Sequence, residues 1–178
     1  MAGGTDILVQ LRSGRFNVDR LIDVKKIPEM NELSYSETDG LFLGAAVPCC
    51  KIYENNDVCE MYPGVVDAAF IIGGIQIQGR ASLGGTLCNA SPSGDTIPAL
   101  IALGAICVIE GPKGRRTLPV EDCSLAAGKI ALDHGELEWA DQLLTHQSTA
   151  GFESRYEELR CDIFIFRNDL TNARYAYS

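Results

Sequence analysis

Groups that could ligate a metal or perform acid–base chemistry are scarce in this chain. It has only two histidines, His134 and His146, and its seven cysteines form no C-x-x-C pair. No metal-ligand constellation follows from them. Neither a nucleophile–base–acid triad nor a carboxylate dyad is evident, so no residue is expected to be catalytic. Cys49 and Cys50 are adjacent, while Cys59, Cys88, Cys107, Cys123 and Cys161 are scattered among apolar residues. That is the pattern of buried free thiols in a reducing compartment, and a cytoplasmic location is expected. Basic residues are in deficit, 15 against 24 acidic, for a net charge of −9. This argues against nucleic acid or an anionic membrane surface as the main partner. No apolar stretch is long and clean enough to span a bilayer, and Met1-Ala2 begins no signal peptide. The fingerprints G-x-x-x-x-G-K-[ST] and G-x-G-x-x-G are both missing, which excludes a P-loop or Rossmann reading. There is no internal repeat and no low-complexity linker.

What the chain does have is glycine, gathered in two places. With 178 residues and 46% hydrophobic content it can bury a real core as one domain of one or two lobes. The densest stretch runs from Ile72 to Leu103, IGGIQIQGRASLGGTLCNASPSGDTIPALIAL. Gly84 and Gly85 are free to take positive φ and to let another group approach their N–H donors. Ser82, Thr86, Asn89, Ser91 and Ser93 add short hydrogen-bonding side chains. Asp95 reads as the N-cap of a helix with Thr96, Ile97 and Pro98 in its first turn and Gly104 behind Leu103. A turn rich in free N–H groups beside a helix start attracts anions, phosphate above all. The same glycines would equally serve a tight strand-to-helix turn for steric reasons alone.

A second glycine turn favours the anion reading. The chain opens Met1-Ala2-Gly3-Gly4-Thr5-Asp6 and continues into the apolar run Ile7, Leu8, Val9 and Leu11. This is a glycine turn entering a helix, with Thr5 or Asp6 as cap. Two separate glycine turns could line the two sides of one diphosphate. Arg80 could pair with the same diphosphate, although a solvated surface arginine is the commoner case.

AGGTD near the start, with IGGIQIQGRASLGGTLCNASPSGDTIPAL about seventy residues later, resembles the FAD-binding subunit of molybdenum hydroxylases. That family includes the flavin domain of xanthine dehydrogenase and the medium subunit of carbon monoxide dehydrogenase. The similarity runs from Ala2 to about Glu138. It implies that Ala2, Gly3, Gly4, Thr5, Asp6 and Ile7, with Ser82, Leu83, Gly84, Gly85 and Thr86, clasp the FAD pyrophosphate. Asp95 matches the acid that contacts the adenosine ribose, a role that suits a carboxylate accepting from adjacent hydroxyls. Ile72 matches the side chain that packs near the flavin ring. Family members often carry Asn where this chain has Thr86.

The resemblance also implies a fold and a task. The fold is α+β or α/β, a two-lobed FAD-binding domain of the PCMH type. Its small βα lobe falls at about residues 1–30, and its larger lobe, with an antiparallel sheet and flanking helices, at about 31–139. The task is electron relay, from iron–sulfur clusters through FAD to an external acceptor. The implied partners are a molybdenum-cofactor large subunit and a 2Fe-2S small subunit, since this chain ligates neither centre and would not be active alone. The family has a strand and helix before the first glycine turn, for which Met1 leaves no room. Residues 140–178 read as a divergent tail in place of the family's C-terminal domain. An incomplete copy would hold its first clasp in poorer preorganisation, so FAD retention is expected to be weak or absent and the purified protein pale. Two rivals stand beside this reading: a non-redox protein binding a phosphorylated metabolite, and a truncated or degenerate subunit that folds and associates but holds no FAD.

Read in order, the residues themselves give an α/β chain. Ile7 to Ser13 is a short helix ended by Gly14, and Arg20–Val24 a compact apolar strand. Ile27–Met30 is a single turn. Leu33–Glu37 and Leu41–Ala45 form a hairpin about Thr38-Asp39-Gly40. Cys49–Glu54 is helical with Pro48 in its first turn, and Val58–Phe70 is a helix divided or started by Pro63-Gly64. Ile75 and Ile77 alternate with Gln76 and Gln78 as in a half-buried strand. Ala105–Glu110 and Arg115–Pro119 form a second hairpin, and Glu121–Cys123 a loop. Asp133–Gly135 is a turn, and Cys161–Phe166 one further strand.

Overall fold

The computed structural model describes residues 1–15, 18–89, 93–111 and 114–123, together with the backbone of a strand at Arg160–Ile165. The turn expected at Asp133–Gly135 and the side chain of Ser91 lie outside these residues.

Two local hairpins supply four strands. Strands β1 (Leu33–Ser36) and β2 (Gly40–Leu43) pair antiparallel, with Ser36 opposite Gly40. Gly40 has φ +84, the left-handed conformation that the turn needs and that glycine adopts without strain. The Asp39 N–H donates to Ser36 Oγ at 2.9 Å and locks the turn. Strands β3 (Ile106–Gly111) and β4 (Gly114–Pro119) form the second hairpin. A fifth strand, β5 (Arg160–Ile165), pairs antiparallel with both β2 and β3. The sheet order is therefore β1-β2-β5-β3-β4. The late strand sits in the centre, so the sheet is not complete within residues 1–139.

Alternation along β2 and β3 makes one face of the sheet apolar. Leu41, Leu43, Cys107 and Ile109 are buried on that face. Between the two hairpins lie α2 (Cys49–Tyr53), α3 (Asn56–Met61), α4 (Pro63–Phe70), α5 (Ile75–Gln78), α6 (Leu83–Asn89) and α7 (Thr96–Ala102). Ile52, Val58, Tyr62, Val65, Ala69, Leu83, Leu87 and Leu100 join the sheet's apolar residues in one core. Full burial of each large aliphatic side chain contributes about 1.5–3 kcal/mol, so this cluster carries most of the fold's stability. A smaller cluster of Met30, Ala45 and Ala46, with Ala2 and Val24 against it, fastens the N-terminal segment to that body.

Helix ends follow the local chemistry. Asn55 caps α3 by accepting from the Val58 N–H at 3.1 Å. Tyr62 then separates α3 from α4, whose first residue is Pro63. Pro48 is the N-cap of α2 rather than part of its first turn. Gly104, at φ +60, closes α7 with its N–H on the Ile101 carbonyl at 2.9 Å. The first helix, α1 (Ile7–Arg12), ends at Ser13 ahead of Gly14 at φ +74.

Four expectations are corrected. Gly84 and Gly85 do not form a positive-φ turn; they lie in the first turn of α6, and neither is among the described glycines with positive φ. Ile75–Gln78 is a helical turn, not a strand. Gln78 points inward, accepting from Tyr53 Oη at 3.1 Å and donating to the Phe70 carbonyl at 2.6 Å, while Ile75 and Ile77 are exposed. Hydrogen bonding of one amide side chain outweighs the apolar alternation there. Arg20–Val24 is extended but belongs to no named strand. Among the described residues its ladder partner is Met1, whose N-terminal ammonium donates to the Ile22 carbonyl and whose own carbonyl accepts from the Val24 N–H. Leu21 and Ile22 are exposed as a result. Residues 120–123 are helical rather than a loop, with Val120 buried in the core.

Candidate functional site

The two glycine segments, far apart in sequence, meet. Gly3 is buried, and a Cβ placed on it would stand 2.7 Å from the Arg80 carbonyl oxygen and 3.3 Å from the Ser82 nitrogen. A Cβ on Gly85 would stand 2.9 Å from Ser82 Oγ, 3.6 Å from the Gly3 nitrogen and 3.9 Å from Ala2 Cβ. No larger residue than glycine fits at position 3 without moving main chain. Gly4 has φ +81, which turns the chain from the extended opening into α1.

Gly84 has a different task. Its added Cβ would fall 2.5 Å from Ala45 Cα, so it lets α6 lie directly on the Ala45 backbone. The entry to α6 is stitched to the entry to α2 as well. The Cys49 N–H donates to the Ala81 carbonyl at 2.8 Å, and Pro48 and Ser82 form an isolated antiparallel bridge.

Ser82 is buried and caps α6 from the preceding position, accepting at Oγ from the Gly85 N–H at 3.2 Å. Thr86 turns its hydroxyl back on the Ser82 carbonyl at 3.3 Å, leaving the oxygen lone pairs available. Asn89, at the end of α6, donates through Nδ2 to Asp6 Oδ2 at 2.9 Å. Asp6 therefore spends its carboxylate on α6 and makes no cap bond to α1. Among the described residues, no acceptor meets the backbone N–H of Gly3, Gly4, Thr5, Asp6 or Ile7, nor that of Gly84, whereas the Leu83 N–H faces the Val47 carbonyl across the Pro48–Ser82 bridge. Two sets of amide donors are thus available where the segments adjoin.

Sequence-selected residues beyond the glycines fall at different distances from this junction. Asp95 stands at the cap position of α7, but in helical φ/ψ and without a side-chain cap bond, so its exposed carboxylate is uncommitted to the helix. The neighbouring Gly94 packs on Thr86, where an added Cβ would lie 2.9 Å from Thr86 Cγ2. That contact brings the Asp95 segment alongside α6. Thr96 Oγ1, next in sequence, is fully buried with no partner among the described residues. Ile72 is half-buried against the main core at the start of the segment that runs through α5 to Arg80–Ser82.

Lys25 escaped the sequence reading. Its Nζ donates to the Gly3 carbonyl at 3.0 Å, which puts a cation one peptide from the amide donors. Burial, and then the charge of Arg80, hold the Lys25 ammonium below the ordinary lysine range, while Asp23 opposes them. Nothing in a Val-Lys-Lys-Ile run marks which lysine turns toward a loop twenty residues earlier.

Comparison with known proteins gives the chain a family. Residues 1–138 match the family described as the FAD binding domain in molybdopterin dehydrogenase. The chain belongs to that family, and the cofactor of the domain is FAD. The xanthine dehydrogenase FAD-binding subunit of Escherichia coli O157:H7 is 29% identical over 137 residues, 77% of this chain and 47% of the relative. The structure of carbon monoxide dehydrogenase from Hydrogenophaga pseudoflava, in the form lacking the Mo-pyranopterin moiety, superposes with a TM-score of 0.65. It is 29% identical and covers 68% of this chain and 42% of that one. Reconstituted CO dehydrogenase from Oligotropha carboxidovorans, 20% identical, shares the fold at a TM-score of 0.71 over 93% of this chain and 50% of that one. The chain spans about half the length of the curated relatives it matches. The fold is an FAD-binding α+β fold. Among the described residues, no helix is long and apolar enough to cross a membrane, and no group of three or more His, Cys, Asp or Glu side chains could hold a metal ion.

FAD suits the residues present. The junction is closed by glycines that a Cβ would fill, the amides of Gly3–Ile7 and Gly84 have no acceptor among the described residues, and the uncommitted acid at Asp95 suits vicinal hydroxyls.

Proposed function

We propose that this chain holds FAD for electron transfer in a molybdopterin-dependent hydroxylase or dehydrogenase. In this reading the main-chain amides of Gly3–Ile7 and of Gly84 receive the diphosphate, flanked by Ala2, Ser82, Leu83, Gly85 and Thr86. Asp95 accepts from the adenosine ribose, and Ile72 packs near the flavin ring. Bound FAD would supply the redox chemistry, taking electrons from iron–sulfur clusters and passing them to an external acceptor. The protein's part is to bind, orient and shield. A molybdenum-cofactor large subunit and a 2Fe-2S small subunit would be its partners, in the cytoplasm. The two-lobed PCMH division belongs to the same proposal, with a small lobe at about 1–30 and a larger one at about 31–139. The sheet of the larger lobe also takes in Arg160–Ile165.

One observation carries the reading: Gly85 abuts Gly3 and Ala2, so amides from two remote segments open on one junction. Titration of the purified chain with FAD, followed by flavin fluorescence and absorbance, tests it. Saturable one-to-one binding, weakened by Asp95→Ala, is expected. No uptake at high FAD would overturn the reading and favour a subunit that folds and associates without the cofactor. Leu21 and Ile22, apolar yet exposed, are available for association and favour that second reading.

A further inference from the structure

Gly3 is held from both sides. On one side its backbone lies against Arg80–Ser82; on the other its carbonyl accepts from Lys25 Nζ at 3.0 Å. The Gly3–Gly4 peptide is trans, with no cis bond among the described residues, so the Gly3 carbonyl and the Gly4 N–H point in opposite directions across their shared peptide plane. The lysine that fixes the carbonyl therefore aims the Gly4 N–H away from itself. That N–H has no acceptor among the described residues.

Lys25 is also the wrong residue for a purely structural bond. A half-buried ammonium on a single neutral carbonyl gives up solvation for little return, and a glutamine or asparagine would hold the carbonyl equally well. Its nearest carboxylate, Asp23, accepts from the Lys25 backbone N–H at 2.9 Å, not from Nζ. Arg80 adds a second cation to the same neighbourhood and, among the described residues, has no carboxylate partner within ion-pair distance. Lys25 and Arg80 thus set two cations against the single carboxylate of Asp23, a local excess of positive charge in a chain of net charge −9.

We propose that Lys25 is a positioning residue for the cofactor's diphosphate: it fixes the Gly3–Gly4 peptide so that its N–H faces the anion, and with Arg80 it supplies the compensating positive charge. The proposal rests on the FAD reading given above. It adds a side-chain charge to a site otherwise built from main chain.

The test compares the full chain with Lys25→Met and Lys25→Arg, each checked for native circular dichroism, in titrations with FAD, ADP and riboflavin at low and high salt. A charge-assisted hydrogen bond and a nearby cation together predict FAD and ADP affinities on the order of tenfold lower in Lys25→Met. Lys25→Arg should recover much of that loss. Riboflavin, which has no phosphate, should bind all three alike, and the wild-type advantage should shrink with salt. Equal FAD and ADP affinity in wild type and Lys25→Met, or a loss that riboflavin shares, would overturn the proposal and leave the FAD reading standing. ADP binding that depends on Lys25 without any FAD uptake would do the reverse. Binding of neither ligand by the wild type would overturn both.

Discussion

Asn89 Nδ2 lies 2.9 Å from Asp6 Oδ2 and so ties the last residue of α6 to the residue before α1. This is the one side-chain bond described directly between the two glycine segments, and it spans 83 positions of sequence. Removing it should let α1 drift from α6 with little harm to the core, because both residues lie outside the buried cluster. Asn89→Ala and Asp6→Ala should each lower stability by only about 0.5–1 kcal/mol, the range for an exposed hydrogen bond. Each should weaken FAD binding severalfold. The double variant should do little more than either single one, since the pair acts as a unit. Additive losses in a double-mutant cycle would show that the two residues act separately.

Gly84 and Gly85 should respond differently to alanine. At Gly84 the new methyl collides with Ala45 backbone at 2.5 Å, so Gly84→Ala should cost about 1–3 kcal/mol in urea denaturation through overpacking. At Gly85 the nearest atom is Ser82 Oγ at 2.9 Å, and beyond it lies the Gly3 nitrogen. Gly85→Ala should therefore lose the Ser82 cap and crowd the amides, with a larger effect on FAD affinity than on the urea midpoint. The opposite ranking would mean that the seat of α6 on Ala45 matters more to the cofactor than the space between Gly85 and Gly3.

Gln78 is buried and bonded at both ends of its amide, to Tyr53 and to the Phe70 carbonyl. Gln78→Leu keeps the volume but strands both partners, and should destabilise by about 1–3 kcal/mol. The check is a shift in the urea midpoint with an unchanged slope.

Thiol reactivity should divide sharply. Burial, and then the neighbouring Cys50, push the Cys49 thiol up to about 12. Its reactive thiolate is therefore negligible at pH 8 and stays minor until the pH nears that value. Cys59 is exposed. Alkylation of the native protein at pH 8, mapped by mass spectrometry, should modify Cys59 well before Cys49, with Cys49 reacting only on unfolding. Comparable native rates at the two sites would contradict the burial of the α2 start.

Much of this was legible in the sequence because local chemistry and tertiary context agree. Thr38-Asp39-Gly40 announces a hairpin, and the two glycine motifs announce their own junction. Reading failed where a single tertiary contact decided the outcome. Alternating Ile and Gln at 75–78 looks like a strand until Tyr53 and the Phe70 carbonyl, remote from it or on another helix, claim Gln78. Leu21 and Ile22 look like a strand core, but a strand is made by its neighbour, and among the described residues that neighbour is Met1. Gly84-Gly85 looks like a turn because glycine in sequence does not distinguish positive φ from close approach. Lys25 was invisible for a simpler reason: the carbonyl it binds carries no side-chain signal.

The central position of β5 sets the order in which the protein can be made. Leu43 on β2 has its partner Ile163 about 120 positions further along the chain. At about 5–20 residues per second of synthesis, the first hairpin waits on the order of ten seconds and the second a few seconds, each with its inner edge open, before the strand between them emerges from the ribosome. During that interval each unpaired edge is a template for a neighbouring nascent chain. Yield in the cell should thus be governed by chaperone supply and translation speed as much as by the stability of the finished molecule.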